Sequence, residues 1–130
     1  MVQISEHYKA FLLDFGIVVT SCLIHACGYI LGLIWRVGVG YTLIISFAAS
    51  LMIGVLVMDS KSALVCMYAS LLLGSAIATL ILIMPVMIEE PIKFDIALTV
   101  TLSSIAKILV FNLIASFVGV FVGLFMGGNL

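Results

Sequence analysis

The sequence predicts an all-α integral membrane protein, a four-transmembrane-helix bundle with very short connections. Two observations carry this expectation. Apolar residues make up 65% of the chain and charged residues only 8%, giving a mean hydropathy of +1.46. Four long apolar stretches, separated by brief polar turns, take up nearly all of the 130 residues. A soluble domain carries about 25% charged residues, and this chain lacks the polar side chains to cover one. In a bilayer the same composition matches the solvent, and a helix satisfies its backbone polar groups internally.

About 20 predominantly apolar residues cross a bilayer as a helix. The expected spans of a single membrane domain, 1–130, are about 10–35, 40–58, 62–88 and 96–126. The first, Ala10 to Trp35, has one charge near its start, and the second and third have none. Pro85 near the end of the third is expected to kink or fray its last turn. The fourth is interrupted by Lys107. It is roughly 46 Å long as a helix, against a hydrocarbon core of about 30 Å. One long tilted helix explains the surplus. A span over Ile108–Gly127 with Phe94–Lys107 as an interfacial lead-in explains it too, and is the preferred reading. Asp95, Thr99, Ser103 and Lys107 recur every four residues, as a helix with one wet face requires. Strict alternation from Ile92 to Leu102 would also suit a strand. A lone strand leaves its edge groups unpaired in lipid, so the helix is expected.

The connections Arg36–Val39, Asp59–Lys61 and Glu89–Asp95 are too short to fold on their own. Any site must therefore be intramembrane or shared with another chain. The N-terminal MVQISEHYK lacks the basic start and cleavage site of a signal peptide, so the first span is expected to be retained. Basic residues divide almost evenly between the two sides and lean toward cytoplasmic termini. A net charge of −1 offers no basic patch, so nucleic acid is not an expected partner.

Membrane helices gain stability from close backbone approach, which small residues permit. The last span carries Gly119, Gly123 and Gly127, with Ser116 and Asn112 extending that face. Similar ladders occur in the second span (Ser46, Ser50, Gly54) and the third (Ser70, Gly74, Ala78). These faces serve packing inside one bundle, or at least one of them, the fourth-span glycines first, meets another subunit.

On the first span Asp14, Ser21, His25, Gly28, Gly32 and Arg36 fall within about 80° of one another, with Tyr29 at the edge. His25 is the deep group of this stripe. Three roles are open to it: a neutral histidine bonded to a neighbour, a proton relay, or a ligand to a metal or haem. The first is favoured, and the ligand role is the weakest because the chain has only one other histidine, His7, outside the membrane. Asp14, Ser21, His25, Lys107 and Asn112 are the candidate lining of a polar pathway. Asn112 reads first as interhelical glue. Cys22, Cys27 and Cys66 lack the spacing of a zinc site, and no catalytic signature occurs. No metal, cofactor or intrinsic catalysis is expected.

The expected function is a non-catalytic subunit that packs through small-residue faces into a larger membrane complex. Its partners would be the lipid bilayer and other membrane subunits or copies of itself. The alternative is a small homo-oligomeric channel or transporter for protons, ions or a small solute. A structural filament or envelope protein is a lesser alternative.

Overall fold

The computed structural model describes residues 2–34, 39–57 and 59–128. They form α1 (Val2–Ile34), α2 (Val39–Leu56), α3 (Ser60–Glu89) and α4 (Phe94–Met126), with one 3-10 turn, Pro91–Lys93, leading into α4. Each of the four helices is long and apolar enough to cross a membrane.

Local chemistry sets the ends. Asp59 is in extended backbone and caps α3, its carboxylate accepting from the Ser62 N–H at 2.9 Å and the Ser62 hydroxyl at 3.0 Å. The α3 helix continues through Pro85 to Glu89; proline removes one N–H from the ladder without ending the helix. It stops where Pro91 forces the preceding residue out of helical backbone, and Glu90 has φ −140° and ψ 71°. Glu90 and Lys93 then form an exposed ion pair. At the far end the Gly127 N–H bonds to the Gly123 carbonyl, and Gly128 turns away with φ +69°, a left-handed value that glycine adopts without strain.

Two boundaries differ from the sequence reading. The α1 helix begins at Val2, well ahead of Ala10. The α4 helix begins at Phe94 rather than Ile96 and runs unbroken through Lys107, a helix that suits both the long-span and the lead-in reading. Glycine and proline, the usual breakers, are absent between Phe94 and Gly119, and hydroxyls along the way bond back to the helix. Thr99 donates to the Asp95 carbonyl and Ser104 to the Val100 carbonyl, each at 2.8 Å.

The bundle consists of two side-by-side pairs. The most extensive contact joins α2 to α4, the next joins α1 to α3, and the contacts α3–α4 and α1–α2 complete it. The consecutive helices α2 and α3 touch little, as do α1 and α4.

Small residues set the spacing. A Cβ added to Gly119 would come 2.6 Å from the Phe47 carbonyl oxygen, and one on Gly123 would come 2.9 Å from the Gly54 Cα. One on Gly54 would overlap the Val120 carbonyl. The backbones of α2 and α4 are therefore in direct contact. In the other pair, a Cβ on Gly74 would stand 2.8 Å from the His25 Cβ. Between the pairs, one on Gly32 would stand 2.6 Å from Thr42 Cγ2.

Two apolar layers complete the interior. One unites Ile53, Val57, Ala63, Cys66, Met67, Leu71, Val120 and Leu124; the other unites Tyr29, Ala78, Ile105 and Ile108.

Gly123→Ala is expected to destabilise the bundle by about 1–3 kcal/mol, the usual cost of forcing atoms into a packed contact. Gly16→Ala, where a Cβ meets nothing within 4 Å, is expected to be neutral or slightly stabilising. Denaturation in detergent or nanodiscs checks the pair, and equal effects would contradict the packing.

Ser62 holds the Asp59 carboxyl below its ordinary value through its backbone N–H and its hydroxyl. A lowered native pKa stabilises the fold above the unfolded carboxylate value and is lost as pH falls through the native one. Asp59→Asn keeps a capping oxygen and is expected to flatten the acid limb of the stability–pH curve below about pH 4.

Candidate functional site: the buried polar layer

The first-span stripe turns inward. Ser21, His25 and Tyr29 of α1 are buried, together with Thr42, Ser46 and Ser50 of α2, Ser70 of α3, and Asn112 and Ser116 of α4. His25 is 1% exposed, Tyr29 0% and Asn112 2%. Chain order places His25 and Asn112 between the two apolar layers: Ile17 and Val18 pack on one, and Ile30 and Leu33 on the other.

The packing explains this placement. Gly74 has no side chain, so α1 approaches α3 closely at Cys22, His25 and Ala26. That contact turns the imidazole into the bundle. The His25 Nδ1 lies 2.7 Å from the Ser21 carbonyl oxygen. A carbonyl only accepts, so Nδ1 carries a proton, and a neutral ring would then present Nε2 as a bare acceptor. Among the described residues that Nε2 has no partner, and neither have the Tyr29 hydroxyl, the Ser50 hydroxyl or the Asn112 Oδ1. The Tyr29 hydroxyl approaches the Asn112 side chain without the geometry of a direct hydrogen bond. The Ser116 hydroxyl reaches the Ser46 carbonyl at 3.4 Å, a weak link at the limit of hydrogen-bond length.

The ionisable groups of the candidate pathway lie elsewhere. Asp14 is half-buried on α1, about 16 Å along the helix from His25. Lys107 is exposed on α4, on the outer face that also carries Asp95, Thr99 and Ser103. Arg36 lies outside the described residues. Ser21, His25 and Asn112 thus share the interior, while Asp14 and Lys107 do not join them. Ile53, Met67, Leu71, Val120 and Leu124, each at most 1% exposed, close the interior on the side of the α2–α3 turn.

The small-residue positions divide between the two pairs. Gly54, Gly119 and Gly123 mediate the α2–α4 contact with Ser46, Ser50 and Ser116 beside them, and Gly74 meets α1. Ser70 and Ala78 are buried on α3. Gly127 is exposed and belongs to the cap of α4.

Two participants stood outside the candidate pathway read from the sequence. Tyr29, at the edge of the stripe, is fully buried and reaches across toward α4. Thr42 packs against Gly32, its hydroxyl bonded to the Val39 carbonyl at 2.8 Å. Tyr29 sits one turn beyond His25, a spacing that signals a shared face; Thr42 sits in a span with no charge to align it.

No group of three or more histidine, cysteine or acidic side chains is placed to hold a metal among the described residues. Cys22 and Cys66 are buried and fill space as small apolar groups, Cys66 within the layer of Ala63 and Met67.

Ser116→Ala is expected to cost about 0.6 kcal/mol or less, the average for a polar link between membrane helices. Ser116→Leu is expected to cost several times more, because it drives a side chain into the α2 backbone. Unfolding midpoints of the two variants measure the difference.

No protein-family model matches the chain, and no curated protein or solved structure matches it either.

Proposed function

We propose that this chain is a multi-pass membrane protein acting as a non-catalytic subunit, which joins other membrane chains through its outer surface. The observation that carries the reading is the outward stripe Asp95, Thr99, Ser103 and Lys107 on α4. Most exposed positions of the bundle are large and apolar, as lipid contact requires. A cation inside an apolar helix is costly in lipid and calls for a partner or a route to the interface. No acidic side chain of the described residues pairs with Lys107. A neighbouring chain that covers the α4 face supplies what the interior of this one does not.

The polar layer supports the same reading from the other direction. Its hydroxyls, imidazole and amide are buried inside the bundle and an apolar layer closes one side, so it resembles a packing core more than a conduit. The channel or transporter alternative keeps one supporting observation. Copies assembled around the α4 stripe would line a path with Lys107, Ser103 and Thr99, though not with His25.

Native mass spectrometry of gently solubilised protein from its own host membrane tests the proposal. Defined foreign subunits at fixed stoichiometry are the expected result, with Lys107→Leu weakening their retention at least several-fold while the chain still folds. Particles that are only multiples of 13.9 kDa would sink the subunit reading and favour the homo-oligomeric one.

A further inference from the structure

We infer that the centre of the bundle is a binding site for a water molecule, held by the His25 Nε2, the Tyr29 hydroxyl and the Asn112 side chain.

These three unpartnered atoms belong to side chains at most 2% exposed. A buried polar group without a partner costs about 1–3 kcal/mol, and three of them are too many to leave unmet in a stable bundle. Their chemistry is complementary to one small molecule. In the neutral ring the His25 Nε2 accepts, because Nδ1 holds the proton against the Ser21 carbonyl. The Asn112 Oδ1 accepts, and the Tyr29 hydroxyl donates and accepts. One donor facing two acceptors cannot close by itself. A water molecule adds two donors and two acceptors: it gives one proton to Nε2, one to Oδ1, and accepts from Tyr29. Buried waters typically make about three such bonds.

Spacing agrees. His25 and Tyr29 are one turn apart on α1, about 5.4 Å along the axis, which puts them on one face of the helix. Tyr29 in turn approaches Asn112 across the bundle. The buried polar side chains of the described residues are hydroxyls, one imidazole and one amide, with no Asp, Glu, Lys or Arg among them, so a neutral ligand fits where an ion does not. The Ser50 hydroxyl, the fourth unpartnered group, sits against Gly119 in the α2–α4 contact and lies outside the site.

The site differs from a conduction path in one respect. An apolar layer closes one side and a second packs beyond Tyr29, so the water is a structural component with slow exchange.

Labelled protein in lipid nanodiscs tests this by solid-state NMR. Polarisation transfer from water protons is expected at the His25 ring and the Tyr29 side chain, together with a neutral Nδ1–H ring. In Tyr29→Phe and in Asn112→Leu the transfer to His25 is expected to fall at least several-fold. Thermal midpoints of the isosteric Tyr29→Phe give a second readout: a hydrated hydroxyl lowers the midpoint when removed, and a dry one raises it. Absence of water transfer overturns the site whichever way the midpoint moves, since a lowered midpoint would then mark a direct Tyr29–Asn112 bond. Transfer that persists unchanged in both variants also overturns it, by placing the water elsewhere.

Discussion

Everything in this bundle depends on how closely α2 and α4 approach. Gly54, Gly119 and Gly123 bring backbone against backbone, and in an apolar solvent such contact is a main source of helix association. Side-chain burial alone gives little there, because a leucine meets the same kind of atoms in lipid as in protein. The glycines remove the side chains that would hold the axes apart. Dispersion then acts over the full contact, and each such atom pair contributes only when the surfaces touch. The remaining helices adapt to this rigid pair. The α1 and α3 helices form a second pair through Gly74, and the two pairs meet along α1–α2 and α3–α4.

The same closeness creates the polar layer. Helices that touch at small residues bring their serines, His25 and Asn112 within the interior, where hydroxyls survive by bonding to their own helix. Ser70 donates to the Met67 carbonyl at 2.9 Å and Thr42 to the Val39 carbonyl at 2.8 Å. Such back-bonding satisfies a hydroxyl without a partner chain. His25 uses that solution for Nδ1 alone, bonding the Ser21 carbonyl, while its Nε2 and the Asn112 Oδ1 have no partner among the described residues. Both atoms face inward, where only a neighbouring helix or a small polar guest can satisfy them.

Sides of the same helix therefore carry different physics. On α4, Asn112, Ser116, Gly119 and Gly123 look into the bundle, whereas Asp95, Thr99, Ser103 and Lys107 look out. An inward polar group is satisfied by geometry that folding supplies, while an outward one in an apolar stretch awaits something beyond the chain. Two open lateral grooves add to the outer surface. One, of about 410 Å³, lies between the first half of α1 and the end of α2, beside Gly16 and Met52. The other, of about 520 Å³, lies between α3 and α4 beside Ala76 and Ala106. Their linings are almost wholly apolar, which suits acyl chains or helices equally.

Composition and run length by themselves determined the all-helical class, the number of helices and the shortness of the turns, because burial of apolar runs and backbone satisfaction are local demands. Four-residue spacing likewise placed small residues on single faces of α2, α3 and α4, and His25 on a stripe with Ser21. Tertiary structure alone decided which faces meet. A GxxxG pattern specifies closeness and leaves the partner open, so only packing joined Gly119 and Gly123 to Gly54 of the same chain. It also separated residues that periodicity had grouped into one pathway, sending Ser21, His25 and Asn112 inward and leaving Lys107 outside. The length of α4 was ambiguous for a related reason: a lysine inside an apolar run costs solvation, not helicity, and the helix continues through it. Tyr29 was legible at the edge of the stripe, but its approach to Asn112 was not, since a contact between α1 and α4 depends on the axis positions that the glycines impose.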